Sequence, residues 1–214
     1  LKFGPGVIFS YVNGMKSSAD AAPTPERILD AAESLLRRHG AEKTNVVDVA
    51  RMLGMSHGNI YRHFPSKKAL LDAVAVRWLN VVTAPLEAIA CDRSRPAAAR
   101  LKSWFDHLRA AKLKKVRGDP ELFRVHYKYV QALREVSDEH VTNLLGQVER
   151  IIADGITTKE FSPKLNTTAA ARAFLQATSR FHHPALVMLD PPPRDADARA
   201  VFGLLLAGLR TGGI

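Results

Sequence analysis

The sequence predicts an all-α chain in which a small three-helix N-terminal domain precedes a larger C-terminal helical bundle, about nine helices in total. Three observations carry this. Apolar residues recur at three- and four-residue spacing through most of residues 24–209. Caps, prolines and glycines punctuate that pattern at helix-length intervals. No alternating run closed by a tight turn, the mark of a hairpin, interrupts it.

Residues 1–23 hold Gly4, Pro5, Gly6, Gly14 and Pro23 and no long helical period, so they read as a poorly ordered N-terminal arm. Met15 is a candidate start, which makes 1–14 an upstream extension. The first helix opens at Thr24 and Pro25, a cap followed by proline at the first helical position. Its apolar face is Ile28, Leu29, Ala32, Leu35 and Leu36, and Gly40 ends it after the basic run Arg37-Arg38-His39. Asn45 caps a second helix, with Asp48 placed to return a capping-box bond and Val46, Val49, Ala50 and Leu53 on one face. Gly54-Met55-Ser56 breaks it: the glycine supplies the positive φ of a tight turn, and Ser56 caps the third helix. Ile60 and Phe64 continue an apolar face in that third helix, which Pro65 stops.

Two short helices around a break of about three residues form the outline of a helix-turn-helix. Ser56, His57, Gly58, Asn59, Tyr61, Arg62 and His63 fall on or near the free side of the second. Such a set of donors and acceptors, with a glycine that lets the backbone approach, suits the DNA major groove. Residues 24–66 thus read as a DNA-binding domain and 67–214 as a second domain. The arm offers a further DNA contact as an alternative to a frayed end.

Ser66 caps a long fourth helix carrying Leu70, Leu71, Val74, Trp78, Val81, Val82, Leu86 and Ile89, in which Pro85 marks an end or a bend. Beyond a break at 91–96, residues 97–116 present Leu101, Trp104, Phe105, Leu108, Leu113 and Val116. Asp119-Pro120 opens a helix through Leu122, Phe123, His126, Tyr127, Val130 and Leu133. Ser137-Asp138-Glu139 opens another through Val141, Leu144, Leu145, Val148, Ile151, Ile152 and Ile156. A polar connection over 161–166 leads into a helix over 167–181. The stiff turn Asp190-Pro191-Pro192-Pro193 then sets a last helix, 195–209, antiparallel beside it. This pair reads as a dimer surface through Phe174, Ala177, Val201, Phe202, Leu205, Leu206 and Leu209, with closure of a monomer core as the alternative.

The chain has 214 residues, 46% hydrophobic and 24% charged, which is enough for a sizeable core. Its net charge is +10, but residues 24–70 hold only eight Lys/Arg against five Asp/Glu, so the turn pattern and not the charge carries the nucleic-acid reading. The single cysteine, Cys91, excludes an intrachain disulfide framework and fits a reducing interior. The C-terminal apolar run 201–209 is too short to span a bilayer, so a cytoplasmic protein without a membrane partner is expected. No HExxH, CxxC, GxGxxG, Walker or GxSxG pattern is present, and His182-His183 runs straight into Pro184, which suits a turn or core role. No enzyme activity, cofactor or metal is expected.

Residues 28–71 strongly resemble the N-terminal domain of the tetracycline-repressor (TetR/AcrR) family of bacterial transcriptional regulators. The resemblance runs through Ile28-Leu29-Asp30-Ala31-Ala32, Gly40, Thr44, Val49-Ala50, Gly54, Ile60-Tyr61, His63-Phe64 and Lys67. It implies a homodimer reading a palindromic operator in double-stranded DNA, usually as a repressor released by a small effector. Carried onto this chain, it sets Thr44 or Asn45 against phosphate and Ser56, His57, Gly58, Asn59 and Tyr61 in or along the major groove. His63 and Lys67 would meet the DNA backbone. Where many members carry a basic residue in the second helix this chain has Val47, leaving Lys43 or Arg51 as substitutes.

For the effector, a chamber between the middle helices is expected, lined by Trp104, Phe105, Leu108, Phe123, His126, Tyr127, Tyr129, Phe174, Thr178 and Phe181. These favour an apolar or aromatic ligand with one polar handle; ordinary core packing is the rival use. The cluster Arg109, Lys112, Lys114, Lys115 and Arg117 reads as a solvated helix end, with an anionic effector as the alternative. The competing classes are a non-specific architectural DNA-binding protein, against which the modest charge of 24–70 argues, and a helical scaffold, which Val47 slightly favours.

Overall fold

A computed structural model describes residues 24–213; the arm expected over 1–23 lies outside them. The described residues form ten α-helices and no strand. The first three are α1 (Pro25–Lys43), α2 (Val46–Leu53) and α3 (His57–His63). The body comprises α4 (Lys67–Cys91), α5 (Ala97–Gly118), α6 (Pro120–Ala132) and α7 (Arg134–Thr157), then α8 (Thr167–Ala177), the single turn α9 (Pro184–Val187) and α10 (Asp195–Thr211).

Local chemistry explains most of these boundaries. Thr24 accepts from the Arg27 amide with Pro25 at the first position of α1. The regular part of α1 ends at Gly40, whose φ of 76° and ψ of 171° are not helical. Asn45 caps α2 by accepting from the Asp48 amide at 2.9 Å. The Asp48 carboxylate pairs with Arg51 at 3.0 Å.

Four expectations change. Of the two readings of Pro85 the end is excluded, since α4 runs on to Cys91. Pro85 and Val81 both lie on the exposed side, where water can replace the lost backbone bond. The helix after α6 begins at Arg134, because only Leu133 leaves helical geometry there, and Ser137 instead donates its amide to the Leu133 carbonyl. The helix expected over 167–181 stops at Ala177. Beyond it Ser179–Phe181 forms a 3-10 turn, and Pro184 holds His183 extended before starting α9. Finally, α4 and not the C-terminal run is the apolar stretch with the length and mean hydropathy to cross a membrane; half of its most apolar window is buried inside this fold.

Three apolar clusters share α4 as their spine. The first packs Ile28, Leu36, Val49, Ala50 and Ile60 against Leu70, Leu71 and Val74, so the opening turns of α4 belong to the N-terminal core. The second joins Val82, Leu86 and Ala90 to Leu101, Trp104, Phe105, Leu108, Val148, Ile151 and Phe174. Between them Ala75, Trp78 and Leu79 meet Phe123 and Val130 of α6. α8 and α10 run antiparallel: Ser162, ahead of α8, donates its amide to Leu209 at 2.9 Å, while Phe174 and Phe202 meet at 6.2 Å between ring centres.

Candidate nucleic-acid interface and the interior of the bundle

The turn between α2 and α3 is built by Gly54, held left-handed at φ 64°, ψ 32°, with the Met55 amide donating to the Ala50 carbonyl at 3.0 Å. Val49, Ala50 and Ile60 are fully buried beneath it, which fixes how α3 leans on α2. The opposite side of α3 is free. His57, Gly58, Arg62 and His63 are exposed, Asn59 is half-buried, and Tyr61 is 48% exposed. Ser56 takes the backbone geometry of a cap but makes no side-chain cap bond, so its hydroxyl remains available.

Two flanking residues have internal partners. Thr44 is 1% exposed, and its hydroxyl donates to the Gly40 carbonyl at 2.8 Å, closing the end of α1; of its neighbours, Asn45 and Lys43 are exposed. Lys67 donates to the Glu42 carbonyl at 2.8 Å, which ties the start of α4 to the end of α1 and leaves two ammonium hydrogens unassigned. Val47 and Met52 add exposed apolar surface beside α3, at 42% and 43%.

A sequence profile described as the bacterial regulatory proteins of the tetR family matches residues 28–74, the segment that forms this arrangement. A second, the tetracyclin repressor-like C-terminal domain, matches residues 97–202. The chain belongs to the TetR family. This is a family of transcription regulators and not of enzymes. Among curated relatives, the regulator UidR of Escherichia coli is 26% identical over 164 residues, covering 74% of this chain and 80% of UidR. TtgR of Pseudomonas putida is 32% identical over 59 residues, 28% of each chain. Among solved structures, FadR from Bacillus subtilis in complex with stearoyl-CoA has a TM-score of 0.63 at 19% identity, covering 86% of this chain and 99% of its own. A SmeT–triclosan complex has a TM-score of 0.65 at 21% identity, covering 86% and 90%.

In this TetR-family chain, the residues expected to line an effector chamber separate into three groups. Trp104, Phe105, Leu108, Phe174 and Phe181 are buried against one another, with Phe105 stacked on Phe202 at 5.9 Å and edge-on to Phe174 and Phe181. Trp104 donates to Gln147 at 2.8 Å. They form one apolar, mainly aromatic cluster. Phe123 and His126 instead surround Trp78, at 5.7 and 5.1 Å between ring centres. His126 is 2% exposed with neither ring nitrogen bonded, and burial pushes its pKa down to about 4. Tyr129 joins this side, donating to Asp72 of α4 at 3.2 Å. Thr178 and Tyr127 mark the third group, Thr178 bonded to His182 at 3.1 Å and Tyr127 edge-on to His183 at 6.3 Å.

The basic cluster on α5 does not form a solvated end. Lys114 and Arg117 are exposed, but Arg109 pairs with Asp195 of α10 at 2.6 Å. Lys115 donates to the Trp78 carbonyl at 3.0 Å with its ammonium 4.2 Å from the indole centre. Lys112 is 3% exposed. Burial pushes both Lys112 and Lys115 down to about 8. Sequence reasoning missed Trp78, Lys112, Lys115 and His140 as a group. The available signal was the stripe Leu101, Trp104, Phe105, Leu108 of α5, which continues at helical spacing into Lys112 and Lys115 instead of another leucine.

Proposed function

We propose that this chain is a dimeric, sequence-specific regulator that binds a palindromic operator through α3, acting as a repressor released by a small effector with a largely apolar or aromatic body. The free, polar face of α3 over a closely packed turn is the observation that supports the reading: Ser56, His57, Gly58 and Tyr61 are exposed and Asn59 half-buried there, and the reading assigns them to base edges. Asn45, Lys43, His63 and the remaining ammonium hydrogens of Lys67 supply phosphate contacts, which set affinity and register.

The dimer contact is assigned to α8 and α10. Phe174, Phe202 and Leu209 are buried in the chain's own core, and Val201, Leu205 and Leu206 half-buried beside it, so the surface offered to a second copy is Ala177 with Gly203, Leu204 and Ala207. Leu204 is 75% exposed, the most exposed large apolar side chain described, and the small residues around it permit close helix approach. Coupling is assigned to α4, which opens in the N-terminal core, passes Trp78 and ends in the bundle core. The SmeT structure holds triclosan and the FadR structure stearoyl-CoA, which supports a mainly apolar effector here.

Selection of bound duplexes from a random DNA library at about 0.15 M salt tests the reading. A palindrome with two equivalent half-sites is expected; binding without a consensus would replace the reading by an architectural one, and no binding by the folded chain would favour a scaffold.

A further inference from the structure

Lys112 stands apart from the other sheltered cations. Arg100, 2% exposed, donates to the Ala90 carbonyl at 2.8 Å and to Asp154 at 3.0 Å. Arg77 meets Asp30 at 2.6 Å and Glu33 at 2.5 Å, Arg109 meets Asp195, and Lys115 has the Trp78 carbonyl. Among the described residues Lys112 has no carboxylate, carbonyl or hydroxyl; its ammonium has only the face of Trp78, 5.7 Å from the ring centre. Buried ammonium groups are seldom left so, because their lost hydration has to be replaced by an opposite charge.

The groups facing Lys112 are the wrong kind to supply that charge. Lys115 lies on its own helix, His140 on α7, and His182 and His183 in the turn beyond α8; each is a cation or becomes one, and burial and Lys112 together hold the pKa of His140 to about 3 and of His182 to about 4. Both rings are therefore neutral at pH 7. His182 is fixed further: the Thr178 hydroxyl gives its proton to the Phe174 carbonyl at 2.7 Å and so accepts from Nε2 of His182. The site as a whole presents one ammonium without a hydrogen-bond partner, that of Lys112, beside a second, Lys115, already bound to the Trp78 carbonyl, together with neutral imidazoles.

We propose that this part of the bundle seats the carboxylate of an apolar organic acid, with Lys112 as the anchoring cation and His140 beside it. The inference rests on the effector-responsive reading above and names the chemical class of the effector. One unpartnered ammonium balances a monoanion; a phosphate dianion would call for a second free cation or a guanidinium fork, and Lys115 is already bound to the Trp78 carbonyl. The aromatic core one to two turns back along α5, at Phe105 and Leu108, and Phe181 next to His182 suit an aliphatic or aromatic body.

The test is calorimetric titration of the full chain, without DNA, with octanoate, decanoate and naphthalene-2-carboxylate, each beside its uncharged carboxamide. At pH 7 at least one acid is expected to bind tenfold or more tightly than its amide. Lys112→Met removes that preference while leaving the amide's affinity within twofold, and in the wild type the preference falls as pH passes about 8, where free Lys112 loses its proton. No acid preferred over its amide by the wild type, or a preference kept by Lys112→Met, would overturn the proposal. Since no DNA is involved, acid binding by a chain that selects no operator would leave this proposal standing and remove the regulator reading. Operator binding with no acid preferred would do the reverse.

Discussion

At the scale of single residues, the largest consequences come from polar groups whose partners decide their state. Lys112 keeps a folded pKa of about 8 against 10.5 in an exposed chain, so between these values the unfolded chain binds more protons and stability rises with pH. Below about pH 8 the full penalty is present, on the order of 3 kcal/mol. Lys115 shares the direction and the window. Lys112→Met is therefore expected to raise the melting temperature at pH 7 by roughly 5–10 °C and to flatten the rise between pH 8 and 10.5, read by thermal melts in a pH series; an unchanged melting temperature would mean the ammonium is hydrated. On the DNA side, Tyr61→Phe should weaken operator binding about tenfold with unchanged melting, because only the hydroxyl of an exposed side chain is lost. Equal affinity would deny the hydroxyl a phosphate. Residue roles were only partly legible in the sequence. Asn45, His57 and Tyr61 are exposed and Asn45 caps α2, as their place in the pattern implied, whereas the burial of Thr44 and the bond from Lys67 to Glu42 depend on where the end of α1 meets α2 and α4.

At the scale of elements, the helix-turn-helix is the most locally determined part. Gly54→Ala forces a Cβ into left-handed geometry at φ 64° and is expected to cost about 1–2 kcal/mol, seen in chemical denaturation. A neutral substitution would show that the turn relaxes. Because α3 is held by that turn, operator affinity should fall with it. α1 to α3 were readable because their caps, glycines and apolar faces act within a few residues of themselves. The later helices were readable in number and approximate span, but not in detail. α4 continues through Pro85 because the ring lies on its solvent side, and α7 starts early because Leu133 alone breaks the chain from α6. The stripe of α5 carries two lysines inward, a placement that the desolvation of their charge opposes and tertiary packing imposes. Such departures are expected where function sets the residue.

For the whole molecule, the proposed regulator is two copies joined through α8 and α10, each presenting α3 and each linked by α4 to its own interior. Leu204→Arg places an unpaired charge in the middle of the assigned contact and should convert dimer to monomer in light scattering at micromolar concentration, with operator affinity lost alongside. A dimer unaffected by it would move the contact elsewhere. The central claim is that α3 reads DNA sequence, and the most direct test is to repeat the random-duplex selection with Asn59→Ala beside the wild type. The expected result is a palindrome whose preference relaxes at one position in each half-site, symmetrically, with the other positions unchanged. An identical consensus from both proteins, or a change in overall affinity with no change in preferred sequence, would contradict α3 as the reading helix.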